Sequence, residues 1–585
     1  MFEQRVIFKK EELNLLEDYL KQKDLIALDI ETTGLDEYKD DLLGIGVGCP
    51  NQQFFIASQY FSKEEIKDLL SKIFENNRII VLHNAKFDLK FLAAKGLPIP
   101  EINNVEDTML MAWLIDENNN IGLKNLIKRY LNRESKTYQQ LIQESILQTE
   151  EERLTDLGTY CCDDVKNTID LYAKFIVELN NQGVYKDYKY IEIPFIKVLM
   201  DMELWGIRVD SNLLEKYKEE LGEIIRGYAN QLREICGNPN FNPNSPKQIE
   251  EYLFTVCGYN PIKITRTGKR STNSYVLEDI VAQNNLQDND FVSVLLKYRE
   301  LEKIYSTNII PLLELRDQNE RVHTTFLQHG TISGRLSSQG PNLQNIPVRD
   351  DEWSIKKCFV PAKGYKLVVA DYSQVELRVL AHLSKDIAMT ETFKMDGDIH
   401  NTTAKLTGTS RQRAKAINFG LIYGMSAGSL AKTLEIDYDD AQDYINRFFR
   451  GYPQAKNYIE GVYSESYKNG SVRTLSGRLR HLDAERVIAL RNDVRGSVGR
   501  FKRMAINSKI QGSAADIIKI AMIKLARRLE PFSARLLLQI HDELVIETPN
   551  NCAEEVMNIV KNEMEHAIEL SVPLKVEIET GESWG

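Results

Sequence analysis

KLVVADYSQVELRVLAHLS (366–384) is an apolar run that delivers Asp371 at its end and then turns helical. Its counterpart is RLLLQIHDELVIET (535–548), which reads as two short strands, LLLQI and LVIE, joined at His541-Asp542-Glu543. A carboxylate at a hairpin tip is exposed and ionises at little cost, so either acid alone reads as ordinary turn polarity. The pair says more. Asp371 and Asp542 stand 171 residues apart and converge only if their strands share a sheet. Two converging strand-end acids make a metal-assisted phosphoryl-transfer site reasonable.

Between them lies RQRAKAINFGLIYG (411–424). Arg411, Lys415, Phe419 and Tyr423 recur every four residues. In a helix each such step drifts by only about 40°, so one face carries two cations and then two aromatics over roughly 18 Å. A basic amphipathic helix with aromatic core contacts has the same spacing. The stripe also suits a nucleoside triphosphate, with phosphates at the cations and sugar and base at the rings. Arg binds phosphate as a bidentate donor and Lys as a point charge. No GxxxxGK[ST] motif occurs, so a P-loop NTPase is unsupported.

Working outward, the 585 residues imply about four structural units. The composition is that of a soluble globular chain: 43% hydrophobic and 27% charged. No apolar run approaches a membrane span, and MFEQRVIFKKEEL lacks a secretory signal's apolar core. The seven cysteines are odd in number and form no CxxC, which points to reduced thiols in a cytosol-like compartment. The net charge of −11 argues at first against a nucleic-acid partner. Segment sums remove the objection. Residues 1–190 carry −10, whereas 401–430 carry +4 and 471–530 carry +9. Basic charge is clustered, as a polyphosphate surface requires.

Residues 1–180 alternate strands (25–31, 44–57, 79–84) with amphipathic helices and read as α/β. Asp29 and Glu31 sit at i and i+2 near a strand end and project from one face, where hard cations find oxygen ligands. In HNAKFDLKFLAAKG (83–96), Asn84 can cap a helix that Gly96 stops, and Asp88 falls in its second turn, costly without a partner. In DLGTYCCDDVKNTIDLYAKF (156–175), Tyr160 and Asp164 share a helix face, while Asp163 and Asp170 read as solvated. Residues 210–310 are helical and charged, broken by a loop ending in the helix-starting Ser245-Pro246.

DxE, NxxxFD and YxxxD, in this order and spacing, resemble the DEDD 3′–5′ exonucleases, whose fold is RNase H-like. That resemblance implies Asp29, Glu31, Asp88 and Asp164 as ligands of two divalent metals, with Tyr160 orienting the attacking water. DYSQVELR (371–378), RxxxKxxxFGxxYG (411–424) and HDE (541–543) resemble motifs A, B and C of the family A DNA polymerases. TISGRLSSQGPNLQNIP (331–347), RTLSGRLR (473–480) and AINSKIQGSAADIIK (505–519) extend the likeness from about residue 20 to the end.

By that resemblance the fold is an α/β exonuclease domain (1–188) followed by an α+β right-hand polymerase (189–585) with an antiparallel palm sheet. The thumb would be about 210–310, the palm about 189–209, 311–400 and 531–585, and the fingers about 401–530. Asp371, Asp542 and the Tyr372 carbonyl would bind two Mg²⁺ ions, with Mn²⁺ able to substitute and Glu543 nearby. Arg411, Lys415 and His400 would hold the triphosphate, with Lys415 counted as catalytic. Phe419 would pack on the sugar, Tyr423 by the templating base, and Glu376 as a steric gate against a ribose 2′-OH. Arg335, Asn342, Gln344, Asn345, Arg503, Asn507, Gln511 and His541 would line the primer–template. The basic stretch ITRTGKRSTN (264–273) would grip phosphates from the thumb.

The expected activity is template-directed addition of dNTPs to a primer 3′ end, with 3′–5′ proofreading of a single-stranded end, by a monomer without membrane attachment. The expected location is a bacterial or phage-infected cytoplasm, or an organelle after processing. Three alternatives compete: a single-subunit RNA polymerase-like enzyme, a nuclease with a non-catalytic DNA-binding C-terminal part, and a non-catalytic scaffold. Glu376 and Phe419 favour deoxynucleotides, and no carboxylate of either motif set is lost. The family's usual 5′ nuclease domain is not represented, so primer removal is not expected from these residues.

Overall fold

The computed structural model describes residues 3–144, 148–265, 268–347, 353–492 and 495–585. It divides into two compact units. The first comprises Met1–Leu204, Phe326–Ser337 and Val368–Glu579, the second Trp205–Thr325, Ser338–Leu367 and Thr580–Gly585.

The first unit opens with a six-stranded sheet. Its spatial order is Glu3–Ile7, Gln52–Ala57, Leu42–Cys49, Leu25–Thr32, Ile79–Leu82 and Val105–Asp107. The strand Leu42–Cys49 runs antiparallel to both of its neighbours, and the remaining strands join in parallel. The expected strands are present. The short edge strands Glu3–Ile7 and Val105–Asp107 add two that periodicity did not reveal. Helices Lys10–Leu20 and Lys63–Phe74 bury Leu13, Leu16 and Leu20, and Ile66, Leu69, Leu70 and Ile73. These recur at three- and four-residue steps, giving each helix one apolar stripe for the core. The expected 156–175 helix extends over Glu150–Gln182. A Thr149/Glu152 capping box starts it, and Gly183, at φ 69°, ends it in the left-handed region.

A second, four-stranded sheet assembles distant segments, in the order Arg535–Ile540, Glu543–Pro549, Tyr365–Tyr372 and Val576–Gly581. The hairpin read at 541–543 is present, with Ile540 opposite Glu543 and His541 at φ 53°. Between its strands the chain is almost wholly helical, including Ile399–Thr407, Arg411–Ile422 and the 35-residue Arg495–Leu529.

Buried ion pairs tie the two sheets' surroundings together within this unit. Lys519 on the long helix meets Glu192 at 2.8 Å, both almost wholly buried. Buried Glu203 receives Lys86, Lys90 at 3.0 Å and the Phe326 backbone N–H at 2.8 Å. Arg480 and His481 close on Glu117, whose carboxylate accepts from the His481 backbone N–H at 2.7 Å and faces the His481 ring at 3.0 Å.

The second unit is mainly helical, built on Ser211–Cys236 and Phe291–Ile304. Ser245 caps the helix that Pro246 begins, as read. Within ITRTGKRSTN, Arg266 and Thr267 lie outside the described residues. In the remainder the Thr265 N–H donates to the Lys269 carbonyl at 2.7 Å, and Arg270 pairs with Glu250 at 3.1 Å. Among the described residues no helix is long and apolar enough to cross a membrane.

Candidate active sites

The first site forms where the Leu25–Thr32 strand, the Ala85–Ala94 helix and the Glu150–Gln182 helix meet. Asp29 and Glu31 project from the strand opposite Gly46 and Gly44. The missing side chains leave room for neighbours, and the Cys161 thiol occupies that room. It donates to Asp29 Oδ2 at 3.5 Å. Donor atoms of Asp29, Glu31 and Cys161 all lie within 4.8 Å of one another.

Asp88 is buried and has the partner its position demanded, accepting from the Ile30 N–H at 3.1 Å. Asn84 does precede the helix, at φ 70°, but its side chain makes no cap. Asp107, from the neighbouring strand end, caps the helix instead, accepting from Ala85 N–H at 2.9 Å and Asn84 N–H at 3.2 Å. The sequence-local cap is thus replaced by a long-range one.

Asp164 and Tyr160 share a face of the long helix as read. Lys124 reaches both, with Nζ 2.7 Å from Asp164 Oδ2 and 4.0 Å from the centre of the Tyr160 ring. Asp170 is not merely solvated, since it pairs with Arg133 at 2.5 Å and Lys166 at 2.8 Å. Asp163 accepts from Gln4 at 2.7 Å. Tyr160 also walls a cavity of about 550 Å³ shared with Arg133, Lys136 and Lys166.

The electrostatics fit a divalent cation. Burial, then the charge of Asp164, lifts Asp29 to about 7. Burial and the Asp29 charge raise Glu31 and Asp88 well above the usual carboxylate range. Burial also raises Asp164, against the opposing pull of Lys124. Packed oxygens with too little counter-charge are the donor set that Mg²⁺ prefers.

The second site lies on the four-stranded sheet. The Tyr372 N–H donates to the Asp542 carbonyl at 3.2 Å, and the strand Tyr365–Tyr372, which carries Asp371, is the neighbour of the strand beginning at Glu543. Asp371 is exposed. Asp542 differs from a freely solvated tip carboxylate. Burial raises its carboxyl, partly offset by Arg335 and His541. Arg335 lies 3.5 Å from Asp542 and 2.7 Å from Glu376. Glu376 is itself buried and accepts from the Tyr423 hydroxyl. The Tyr372 ring points elsewhere, its hydroxyl donating to the Met564 carbonyl at 2.6 Å.

The stripe is as read for three positions, Arg411, Lys415 and Phe419 on one helix, with Tyr423 just past its end. Arg411 and Lys415 are exposed, and Arg411 pairs with Asp398 at 2.6 Å. His400 is buried behind them, hydrogen-bonded to Asn418 at 2.8 Å with its ring 5.8 Å from Phe419. Burial holds its imidazole below the usual range. Arg503, Asn507 and Gln511 follow at four-residue steps along Arg495–Leu529. Gln511 hydrogen-bonds Tyr423, and Arg503 packs on Gly424. His541 is exposed and Glu543 half-buried. Asn342, Gln344 and Asn345 belong to the second unit. There Asn342 accepts from the Gln344 N–H at 3.0 Å, and Asn345 is exposed.

Sequence reasoning missed Lys124, Cys161 and Asp107 at the first site. Cys161 was within reach, since it follows Tyr160 in the quoted helix. Lys124 carries no local signal, being one lysine in the four-residue helix Leu123–Leu126.

Comparisons with known proteins identify the family. Residues 211–585 match the family model "DNA polymerase family A", and residues 4–180 match "3'-5' exonuclease". DNA polymerase I of Borreliella burgdorferi is 37% identical over 604 residues, covering 99% of this chain and 64% of the relative. DNA polymerase I of Synechocystis is 37% identical, covering 97% and 61%. The thermostable DNA polymerase I of Thermus filiformis is 43% identical over 409 residues, covering 68% and 48%. The chain therefore spans about half to two-thirds of the length of these relatives. The solved POL domain of Pol1 from M. smegmatis, in complex with DNA primer-template and dNTP, superposes with a TM-score of 0.86 at 30% identity over 99% of both chains. The chain belongs to DNA polymerase family A and carries a 3′–5′ exonuclease domain ahead of its polymerase domain.

Proposed function

We propose that this chain is a DNA-directed DNA polymerase that extends a primer 3′ end with dNTPs and proofreads it by 3′–5′ excision. The observation that carries the reading is the adjacency of the Asp371 and Asp542 strand ends, with Tyr423 hydrogen-bonded to Glu376 beside them. The separate carboxylate cluster around Asp29 supports the second activity.

In this reading residues 1–188 are an RNase H-like exonuclease domain and 189–585 a right-handed polymerase. Residues 210–310 act as thumb, 401–530 as fingers, and 189–209, 311–400 and 531–585 as palm. Two Mg²⁺ ions per site would supply charge stabilisation and activate the attacking oxygen. Asp371, Asp542 and the Tyr372 carbonyl would hold them in the polymerase site, with Glu543 adjacent. Asp29, Glu31, Asp88 and Asp164 would hold them in the exonuclease site.

Arg411 and Lys415 present exposed charge to the incoming triphosphate, and buried His400 supports the same face. Phe419 takes the sugar and Tyr423 the templating-base side. Glu376, held between Arg335 and Tyr423, fills the space a ribose 2′-OH would need. Arg335 would turn from its carboxylates to the minor groove when DNA binds. There it would join Arg503, Asn507, Gln511 and His541, where acceptors are nearly sequence-independent, and Asn342, Gln344 and Asn345 are the second unit's residues for the primer–template. In the exonuclease site Tyr160 orients water. A single chain carries both sites, so a monomer suffices.

Primer extension with matched and mismatched 3′ ends, with and without dNTPs, tests the reading. Matched ends should extend with dNTPs, and mismatched ends should shorten before extending. A chain that neither extends nor shortens any primer in Mg²⁺ contradicts it.

A further inference from the structure

The first site contains a cation of its own. Lys124 is the second residue of the short helix Leu123–Leu126, which follows Gly122. Its ammonium contacts both oxygens of Asp164, one at 2.7 Å, and rests on the Tyr160 ring at 4.0 Å. Asp164 in turn accepts a hydrogen bond from Tyr160. The three side chains form a closed set on one face of the Glu150–Gln182 helix. Among the described residues, Lys124 is the cation whose charge bears on Asp29, Glu31 and Asp164 together.

An ordinary surface ion pair would also tie a loop to a helix. The same helix offers one for contrast, Arg133 with Asp170, whose side chains are 45% and 26% exposed. Asp164 is only 6% exposed and Lys124 24%, and the pair faces a carboxylate cluster rather than solvent. A tether would not need its ammonium placed on the water-orienting tyrosine.

We propose that Lys124 is a positioning residue of the exonuclease site: it holds Asp164 and Tyr160 in register and competes with divalent cations for the carboxylates, trading metal affinity for turnover. The inference rests on the exonuclease reading of this site. Two effects of opposite sign follow from one substitution. Removing the ammonium removes a repulsion against an incoming divalent ion, so the ion binds more tightly. Removing it also frees the tyrosine ring and one carboxylate, so excision slows. A residue that merely stabilised the fold would weaken both.

The test uses the full chain as wild type, K124M, K124R and D29A. Mn²⁺ binding without DNA is followed by electron paramagnetic resonance of the free ion, and the exonuclease-site component is defined as the binding lost in D29A. Single-turnover excision of a single-stranded oligonucleotide is measured in parallel. K124M should bind Mn²⁺ at that site about tenfold more tightly while excising about tenfold or more slowly. K124R, which keeps the charge, should restore wild-type Mn²⁺ affinity and part of the rate. Equal or weaker Mn²⁺ binding by K124M, or excision at the wild-type rate, overturns the proposal. Failure of the wild type to excise at any Mn²⁺ concentration would instead sink the exonuclease reading, and the Mn²⁺ arm would still report on the charge.

Discussion

The backbone N–H of Tyr372 donates to the carbonyl of Asp542 across 3.2 Å, although the two residues are 170 positions apart in the chain. That one bond makes neighbours of two strand ends and brings their acids to one edge of a four-stranded sheet. The helices between them supply the cationic stripe and the Tyr423–Glu376 hydrogen bond.

Glu376 is buried, paired with Arg335 at 2.7 Å and hydrogen-bonded by Tyr423, so its position is fixed from two sides. Shortening it to Ala opens space on the sugar side of the stripe. The ratio of kcat/KM for dNTP over rNTP should fall by on the order of tenfold to a hundredfold. Steady-state incorporation of matched dNTP and rNTP pairs measures it, and an unchanged ratio excludes the gating role.

Gly46 lies opposite Asp29, and a Cβ there would stand 2.4 Å from Cys161 Sγ and 3.0 Å from a Val165 methyl. Gly46→Ala should therefore displace Cys161 and with it the Asp29 side of the exonuclease site, while primer extension continues. Adding Cys161→Ala should recover much of the lost excision by removing the atom in the way. No recovery in the double variant would mean that the damage arises elsewhere in the strand.

His481 and Glu117 give the fold a pH signature. Burial opposes protonation of His481, but the hydrogen bond and charge of Glu117 outweigh it and hold the imidazole above its usual range. A group raised on folding stabilises fully below its unfolded pKa of about 6.5, and that contribution is lost as pH rises through the folded value. Glu117 is likewise opposed by burial, yet His481 and Arg480 hold it low, so its share is lost only in acid. The destabilisation caused by His481→Asn should thus be larger at pH 6 than at pH 8.5, by about 1 kcal/mol. Thermal melts of both proteins across that range measure the difference. A larger effect at pH 8.5 contradicts the sign.

Lys519 and Glu192 form an ion pair with side chains 2% and 1% exposed. Lys519→Met leaves a buried carboxylate without its cation and should cost about 3–5 kcal/mol. Adding Glu192→Gln should return part of that loss, because the amide keeps the contact with Gln328 without a charge. Urea titrations followed by fluorescence give both midpoints, and a Met variant as stable as the wild type refutes the assignment.

Much of this arrangement is legible in the sequence where the information is local. The apolar strands ending at Asp29 and Asp371, the four-residue stripe and the Gly96 stop follow from periodicity and backbone preference. The cost of Asp88 in a second helical turn announced a partner, though not which one. What was not legible depends on contacts between distant segments. Asp107 caps a helix 22 residues upstream, Lys124 reaches Asp164 from the separate short helix Leu123–Leu126, and Arg335 rests on two carboxylates, Glu376 on a helix and Asp542 in a hairpin turn. The raised carboxyl of Asp542 has the same origin, since burial belongs to the assembled sheet and not to the hairpin.

Two separate phosphoryl-transfer sites on one chain should fail independently. The most direct measurement is a primer-extension and excision assay on Asp542→Ala and Asp29→Ala side by side in Mg²⁺. Asp542→Ala should lose extension by a factor of a thousand or more, about 4 kcal/mol of barrier, and keep excision. Asp29→Ala should do the reverse. Normal extension by Asp542→Ala, or loss of both activities in either variant with the fold intact, would contradict the account.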